Sequence, residues 1–488
     1  MIITQKLLVN SNEGSADAVN TTDRHGQTPL SIAAEHGHTE LVKLLVNQGA
    51  NVNAEGGYQG TALYAAAAGN HYQTVKLLLE HGAYVDGQSK DNAYALYAAS
   101  VEGHKQVVLL LLRYGADVNA RGGYYGNALY AALVEGHKQV VELLLKHGAD
   151  VNVEGEDYSN ALHAASAGGN YQMVELLLSH GAHVNAQDEL YSNAVYVASA
   201  RGYYQVVELL LNHNAGSNAK NEYYDDALQA AAYGGFEQVV NLLIENGADI
   251  NAEGYDYSNA LQAASAGGNY HMVELLLKYG ADINAESEEH INALYAASAN
   301  GHHQVIKLLT AKGIDISAGS EDYNNALQAA SASGHEQVVE LLLEKSVGVN
   351  AQGGDYSIAL YLASFEGHEQ VVRRLLEKGA DINAQGGYHG SAFQAASYQG
   401  HKKIVEFLIE QGANVNARGG YHGSALQAAS YRGRKQIVKF LLEQGADINA
   451  PGGYYGSALL AASERAHQSV VDLLISYGAI KIKDTRDF

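Results

Sequence analysis

The sequence predicts an all-α solenoid of about fourteen helix-pair repeats with projecting hairpin loops, and three observations carry that reading. The chain uses a restricted alphabet: of 488 residues, 53 are Gly and 34 Tyr, against 2 Pro, 3 Met and neither Trp nor Cys. The string Gly-Ala-Asp-Val/Ile-Asn begins at Gly115, Gly148, Gly247, Gly280, Gly379 and Gly445, with near copies at Gly49, Gly82, Gly181 and Gly412, every interval being a multiple of 33. Degenerate copies at Asn214, Gly313 and Ser346 and a last one at Gly478 fill the remaining registers, so residues 16–477 make fourteen periods without an insertion. A fixed period of this length marks supersecondary units that bury their apolar faces on one another.

Within one period, residues 127–136 read as a short helix of small residues, with Asn127 as its N-cap and Gly136 as the residue that leaves it. A second helix follows from His137, and Val140, Val141, Leu143, Leu144 and Leu145 lay one apolar stripe on the first helix before Gly148 stops it. The segment from Asp150 to the next cap is too short for a third helix and has turn composition, which predicts a projecting hairpin or loop. Residues 1–20 form a half-repeat cap, with Leu7 and Leu8 as its apolar residues and Ala16 to Asn20 as its junction; the array occupies 21–477 and a tail 478–488. The poorest part of the stack is expected near 310–350. There Ser317 replaces the junction Asn, and Ser346 stands where helix exits otherwise carry Gly or Asn.

Composition narrows function. Apolar residues make up 47% and charged residues only 17%, which suits a folded chain. Without cysteine there is no disulfide framework, no thiolate zinc site and no thiol nucleophile. Thirty Lys and Arg against 53 Asp and Glu give a net charge of −23, the wrong sign for binding phosphate backbones or anionic lipid. The start, MIITQKLLVN, has no basic region leading a long apolar stretch, and no window approaches 18 uncharged apolar residues. A soluble, untargeted, cytoplasmic chain is expected, with neither nucleic acid nor membrane as partner.

Gly26-Gln-Thr28-Pro29-Leu30 and the Gly-His-x-x-x-Val-x-Leu-Leu runs resemble ankyrin repeats. The chain departs from that family at the Thr-Pro-Leu-His tetrapeptide. Ala replaces Pro after the first copy, and His survives only as His163, its place usually taken by Tyr (Tyr64, Tyr97, Tyr130) or Gln (Gln229, Gln262, Gln394, Gln427). The Ala-Leu-Gln-Ala-Ala-Ser wording and the Gly-Gly-Tyr-x-Gly loops are similar to the long ankyrin arrays of filamentous fungi, which often end larger receptor-like proteins. No Gly-x-x-x-x-Gly-Lys-Ser/Thr run occurs, so the array is read either as a whole molecule or as a separated part. The resemblance implies a curved stack of helix pairs that takes up protein partners on its concave face.

No catalytic constellation is legible. Nine histidines (His38, His71, His104, His137, His302, His335, His368, His401 and His467) share one phase of the repeat, the start of the second helix, which argues for a structural task common to every unit. Metal ligands must converge on a point, whereas these stand one layer apart. The Gly-Gly pairs lack the Lys-Ser/Thr of a phosphate cradle. No cofactor or metal is expected.

The informative positions are those where copies disagree. Two variable residues precede the Gly that closes each first helix, and by the resemblance they line the groove. Toward the C-terminus these are Phe365, Tyr398 and Tyr431, beside Gln399, Arg432 and Arg465, with the loop tyrosines Tyr388 and Tyr421 facing the same way. Residues 379–488 carry 11 basic and 9 acidic residues, a net of +2, whereas 1–378 carry a net of −25. The leading reading is therefore a non-catalytic scaffold that binds a protein segment or peptide through these residues, with Tyr398 and Tyr431 expected to be exposed. The alternative is a small-molecule or enzymatic site in a central hollow of small residues, where Tyr130, His163, Tyr196, Tyr233, Gln229 and Gln262 supply an acid, a base and hydrogen bonds. A third reading is a nearly idealised array with little selected contact. The loop tyrosines, among them Tyr58, Tyr124, Tyr158, Tyr257, Tyr323, Tyr356 and Tyr454, either join the binding face or pack on neighbouring loops as a ladder.

Overall fold

The computed structural model describes residues 19–55, 57, 60–87, 94–153, 160–186, 193–216, 227–253, 259–286, 292–314, 321–344 (the backbone alone for 321–323) and 359–480. Among them lie 28 helices in alternating pairs. Second helices are nine residues long and begin every 33 residues, from Thr39–Asn47 through Lys138–Lys146 to Gln468–Ser476. First helices keep the same step, as at Ala62–Ala68, Ala128–Val134 and Ala425–Tyr431; the exception is Glu321–Ala332, which starts five residues early. The predicted caps are present. The Asn127 side chain accepts a 2.8 Å bond from the Tyr130 amide, and Gly136 takes φ +77°. Where the turn composition predicts hairpins, antiparallel bridges close Glu55 on Thr61, Arg121 on Asn127 and Gln385 on Ser391, and Arg418–Gly419 pairs with Gly423–Ser424.

The chain divides into two compact units, Met1–Ala227 with Asn241–Gly247, and Leu228–Val240 with Ala248–Phe488. In the first unit, Leu63, Leu96, Leu129 and Leu162 of the first helices and Val75, Leu78, Val108, Leu111, Val141 and Leu144 of the second are buried together. Ala66, Ala99 and Ala132 have no accessible surface, because one first helix lies directly on the next and only a methyl fits between them. The second unit repeats the arrangement with Leu261, Leu294, Leu327, Leu360 and Leu426.

Polar groups tie repeat to repeat. Eight of the nine in-phase histidines bond through Nε2 to a first-helix carbonyl of the preceding repeat, as in His137 to Val101 at 2.8 Å and His401 to Phe365 at 2.9 Å. Such a bond satisfies a helix-end carbonyl that would otherwise lack a partner. The structural task expected of these histidines is thus an inter-repeat strut. The junction Asn explains itself similarly. Asn119 donates to the Gly148 carbonyl and accepts from the Asp150 amide, and Asn416 does the same with Gly445 and Asp447, so the side chain needs both a donor and an acceptor.

Of the half-repeat 1–20, only residues 19 and 20 are described; Asn20 behaves as a junction residue, accepting from the Asn51 amide at 2.7 Å. Ser317 and Ser346, on which the expected weak region rests, lie outside the described residues, as do 481–488 of the tail. No described helix is long and apolar enough to cross a membrane.

Candidate binding face

The predicted C-terminal residues lie within the second unit, and the structure brings them together more closely than the sequence implied. Phe365, Tyr398 and Tyr431 end three successive first helices: Ala359–Glu366, Ala392–Gln399 and Ala425–Tyr431. Their rings are parallel, with centroids 6.5 and 6.3 Å apart, at the wide end of the range for aromatic pairs. Hairpin rings flank the gaps. His389 packs against both Phe365 and Tyr398, at 5.3 and 4.0 Å, and His422 against both Tyr398 and Tyr431, at 4.9 Å from each. Tyr455 closes the column 4.8 Å beyond Tyr431. Six rings from alternating helix and hairpin positions thus form one contiguous column.

Beside it runs a second column at the hairpin tips. Tyr388, Tyr421 and Tyr454 stack at 4.7 and 4.8 Å, while the Tyr421 amide donates to the Tyr388 carbonyl and the Tyr454 amide to the Tyr421 carbonyl. Two glycines make this possible. Gly420 and Gly453 adopt φ near +60°, and a Cβ on either would collide with the backbone of the preceding hairpin. For these three tyrosines, then, the ladder is observed.

Burial corrects one expectation. Tyr398 and Tyr431 are half-buried within the column, not exposed, because the hairpin imidazoles cover their faces. His389 and His422 are themselves only 5% and 3% exposed, and neither His389 Nδ1 nor either ring nitrogen of His422 has a hydrogen-bond partner. Burial pushes both imidazoles down to about 4; the Arg432 charge adds to this at His389, and His389 followed by Arg432 at His422. Two neutral histidines inside a ring stack are residues that sequence reasoning missed. Their signal was there: they share the 33-residue phase of Tyr125 and Tyr455, one place after the loop Tyr.

The groups left on the surface are cationic. The Arg432 guanidinium lies 4.7 Å above the Tyr398 ring and donates to Gln399 Oε1 at 3.2 Å; Arg465 lies 4.7 Å above Tyr431 and donates to its hydroxyl. Both arginines are exposed, and among the described residues neither meets a carboxylate. The contrast is with Arg373 and Arg374, which pair with Glu369 and with Glu336, Glu340 and Glu377.

The alternative set is placed differently. Tyr130, His163 and Tyr196 belong to the first unit and Gln229, Tyr233 and Gln262 to the second. All but Tyr233 occupy the third position of their first helix, from which the two glutamines reach the following loop. Gln229 donates to the Ala252 carbonyl and Gln262 to the Ala285 carbonyl, each at 2.9 Å, as Gln394 does to Gly419 and Gln427 to Ala450. Gln229, Gln262 and Tyr130 are buried, His163 and Tyr196 half-buried, and Tyr233 is 50% exposed. A cavity of about 190 Å³ between Arg418, Leu426 and Asp447 and a shallower one of about 640 Å³ between His271, Glu274 and Lys312 include none of the six. Tyr58, Tyr158, Tyr257 and Tyr356, and the Tyr323 side chain, lie outside the described residues. Among the described residues, no group of three His, Asp or Glu side chains could hold a metal ion.

A stack of helix pairs with capped, interlocked hairpins defines a repeat solenoid, a class whose surface rather than any enclosed cleft does the work. The family model described as ankyrin repeats in three copies matches eight overlapping stretches that together run from residue 2 to residue 486. The chain belongs to the ankyrin-repeat family. No curated protein matches its sequence. Among solved structures it is similar to the ankyrin repeat domain of Bcl-3, a member of the IkappaB family, at 29% identity over 45% of this chain and 100% of that one, with a TM-score of 0.41.

Proposed function

We propose that the chain is a non-catalytic scaffold that binds a protein segment across the first-helix and hairpin face of residues 365–465. Ankyrin repeats as a family mediate protein–protein interaction. The observation that carries the placement here is the pair of exposed guanidiniums, each 4.7 Å from the centre of an aromatic ring and, among the described residues, without a carboxylate partner. Rigid aromatic surface with oriented Arg donors is the composition of energetically dominant interface patches.

The test compares baits. Affinity purification from the native cell extract uses the full chain and a variant carrying Arg432→Ala and Arg465→Ala, whose exposed side chains are removed without opening the ring column. A partner retained by the first and lost by the second supports the face. Equal retention overturns it and returns attention to the exposed Tyr233. The double replacement Tyr398→Ala and Tyr431→Ala is expected to cost on the order of 2–4 kcal/mol of binding, but it also opens the column and so reports stability together with contact.

A further inference from the structure

We propose that the segment bound on this face is an extended acidic peptide whose carboxylates stand at alternate positions, one for Arg432 and one for Arg465. The inference deepens the proposed binding face and rests on it. Three observations support the choice of partner.

The first is spacing. Tyr398 and Tyr431 are 6.3 Å apart, and each carries a guanidinium at the same 4.7 Å height, so the cations repeat at about the step of the rings. An extended chain rises about 3.3 Å per residue and points every second side chain to one face, which sets like-facing side chains about 6.6 Å apart. The ring column therefore has the pitch of a β-strand's single face. A helix meets nearly the same step with side chains four residues apart, about 6.0 Å along its axis, and is the rival conformation that the peptide comparison below separates.

The second is donor geometry. Each guanidinium is held at two points: the ring beside it, and one hydrogen bond through Nη, to Gln399 for Arg432 and to the Tyr431 hydroxyl for Arg465. A guanidinium has five N–H donors, so each retains a fork for a carboxylate. Orientation by a neutral amide and a phenol leaves the charge itself uncompensated.

The third is the field of the chain. Residues 1–378 carry a net charge of −25 and residues 379–488 a net of +2. Net acidity ceases over 379–488, so an acidic segment meets less repulsion there than along the rest of the sequence. The tyrosine column at the hairpin tips, with Tyr388 45% and Tyr454 59% exposed, flanks the hairpin rings His389, His422 and Tyr455 and offers an apolar shelf for the segment's intervening side chains.

The experiment selects phage-displayed random nonapeptides on the full-length chain at low salt, in parallel with the Arg432→Gln, Arg465→Gln double variant. Folding of the variant is checked by its thermal transition. Peptides with Asp or Glu at alternate positions are expected from the unsubstituted chain. A synthetic peptide with two alternate glutamates should bind at least tenfold more tightly than its Gln version and than one with the glutamates four residues apart, and the double variant should erase both differences. Selected peptides that lack the alternate acidic pattern overturn the inference while leaving the binding face in place. Failure to select any peptide, together with a native partner indifferent to both arginines, overturns the face as well. Tighter binding of a phosphorylated peptide or of a single-stranded oligonucleotide than of the alternate-Glu peptide also overturns it, since the ligand would then be a phosphate.

Discussion

The Gly-Gly-Tyr-x-Gly motif occurs at 56–60, at 122–126 and three times in succession at 386–390, 419–423 and 452–456, and the 122–126 copy and the successive three use it differently. Locally the hairpins agree: the Gly122 amide meets the Gly126 carbonyl as Gly386 meets Gly390 and Gly452 meets Gly456. Their tyrosines part company. Tyr124 is 85% exposed and, among the described residues, meets Tyr125 edge-on, whereas Tyr421 is stacked on both faces. The repeats on either side of 122–126 carry other words at this phase, Ser-Lys-Asp-Asn-Ala at 89–93 and Gly-Glu-Asp-Tyr-Ser at 155–159. A rung needs neighbouring rungs. With none available, Tyr125 turns to its own repeat, donating to Glu135 at 2.7 Å while its amide donates to the Tyr97 hydroxyl at 3.1 Å.

The largest expected effect separates the two regions at their glycines. Gly420→Ala should destabilise by on the order of 3 kcal/mol, because φ is positive and the new methyl meets the immovable His389–Gly390 backbone. Gly123→Ala, also at positive φ, should cost less, since its methyl meets the side-chain ring of Tyr97 rather than backbone. Amide hydrogen exchange at Tyr421 and Tyr454 reads the first change directly; unchanged protection there would show that the hairpin ladder is not held by contact.

Acid comes next. His389 and His422 titrate near 4 in the folded chain and near 6.5 when unfolded, so between these values the unfolded state binds more protons. Stability of the C-terminal repeats is therefore full above about pH 6.5 and declines as pH falls toward 4, by on the order of 3 kcal/mol for one ring considered alone. Repeats near 122–126, with Tyr125 in that place, lack this contribution. Replacing His422 by Tyr, the residue standing at 455, should flatten part of the dependence in urea titrations run across that range. An unaltered slope would mean the imidazoles are not neutral in the column.

Stacking itself gives a smaller difference. Tyr421→Ala is expected to cost about 1–2 kcal/mol and Tyr124→Ala less than about 0.5 kcal/mol. A Tyr388/Tyr421 double-mutant cycle should return a coupling near 1 kcal/mol. Smallest is the effect of Glu135→Ala, which should leave stability almost unchanged but release the Tyr125 phenol. Chiefly the hydrogen bond to Glu135 holds that group up at about 12, and its titration, followed by ring NMR shifts, should move back toward 10.

Much of the fold was legible because its determinants are local. A 33-residue period, an Asn or Ser that caps, a Gly that exits and a Val-Val-x-Leu-Leu stripe each act within a few residues, so helix starts could be placed by counting. The in-phase histidines were rightly assigned to the framework, although the carbonyl that each one reaches lies 36 residues back and is invisible in a single repeat. Phe365, Tyr398 and Tyr431 stand out in the sequence by their variation, but Tyr398 and Tyr431 are half-buried where exposure is expected.

Burial is decided by what the next repeat inserts. Whether His389 packs against both Phe365 and Tyr398 depends on the 6.5 Å separation of those two rings, set jointly by two first helices and one hairpin whose residues are 24 and 33 positions apart. Periodicity alone fixed the helices, their caps and the phase of every aromatic residue. Only tertiary structure decided which of those aromatics became a closed column, which remained bare like Tyr124, and which two arginines were left with charge to offer, because stacking and desolvation depend on distances between repeats.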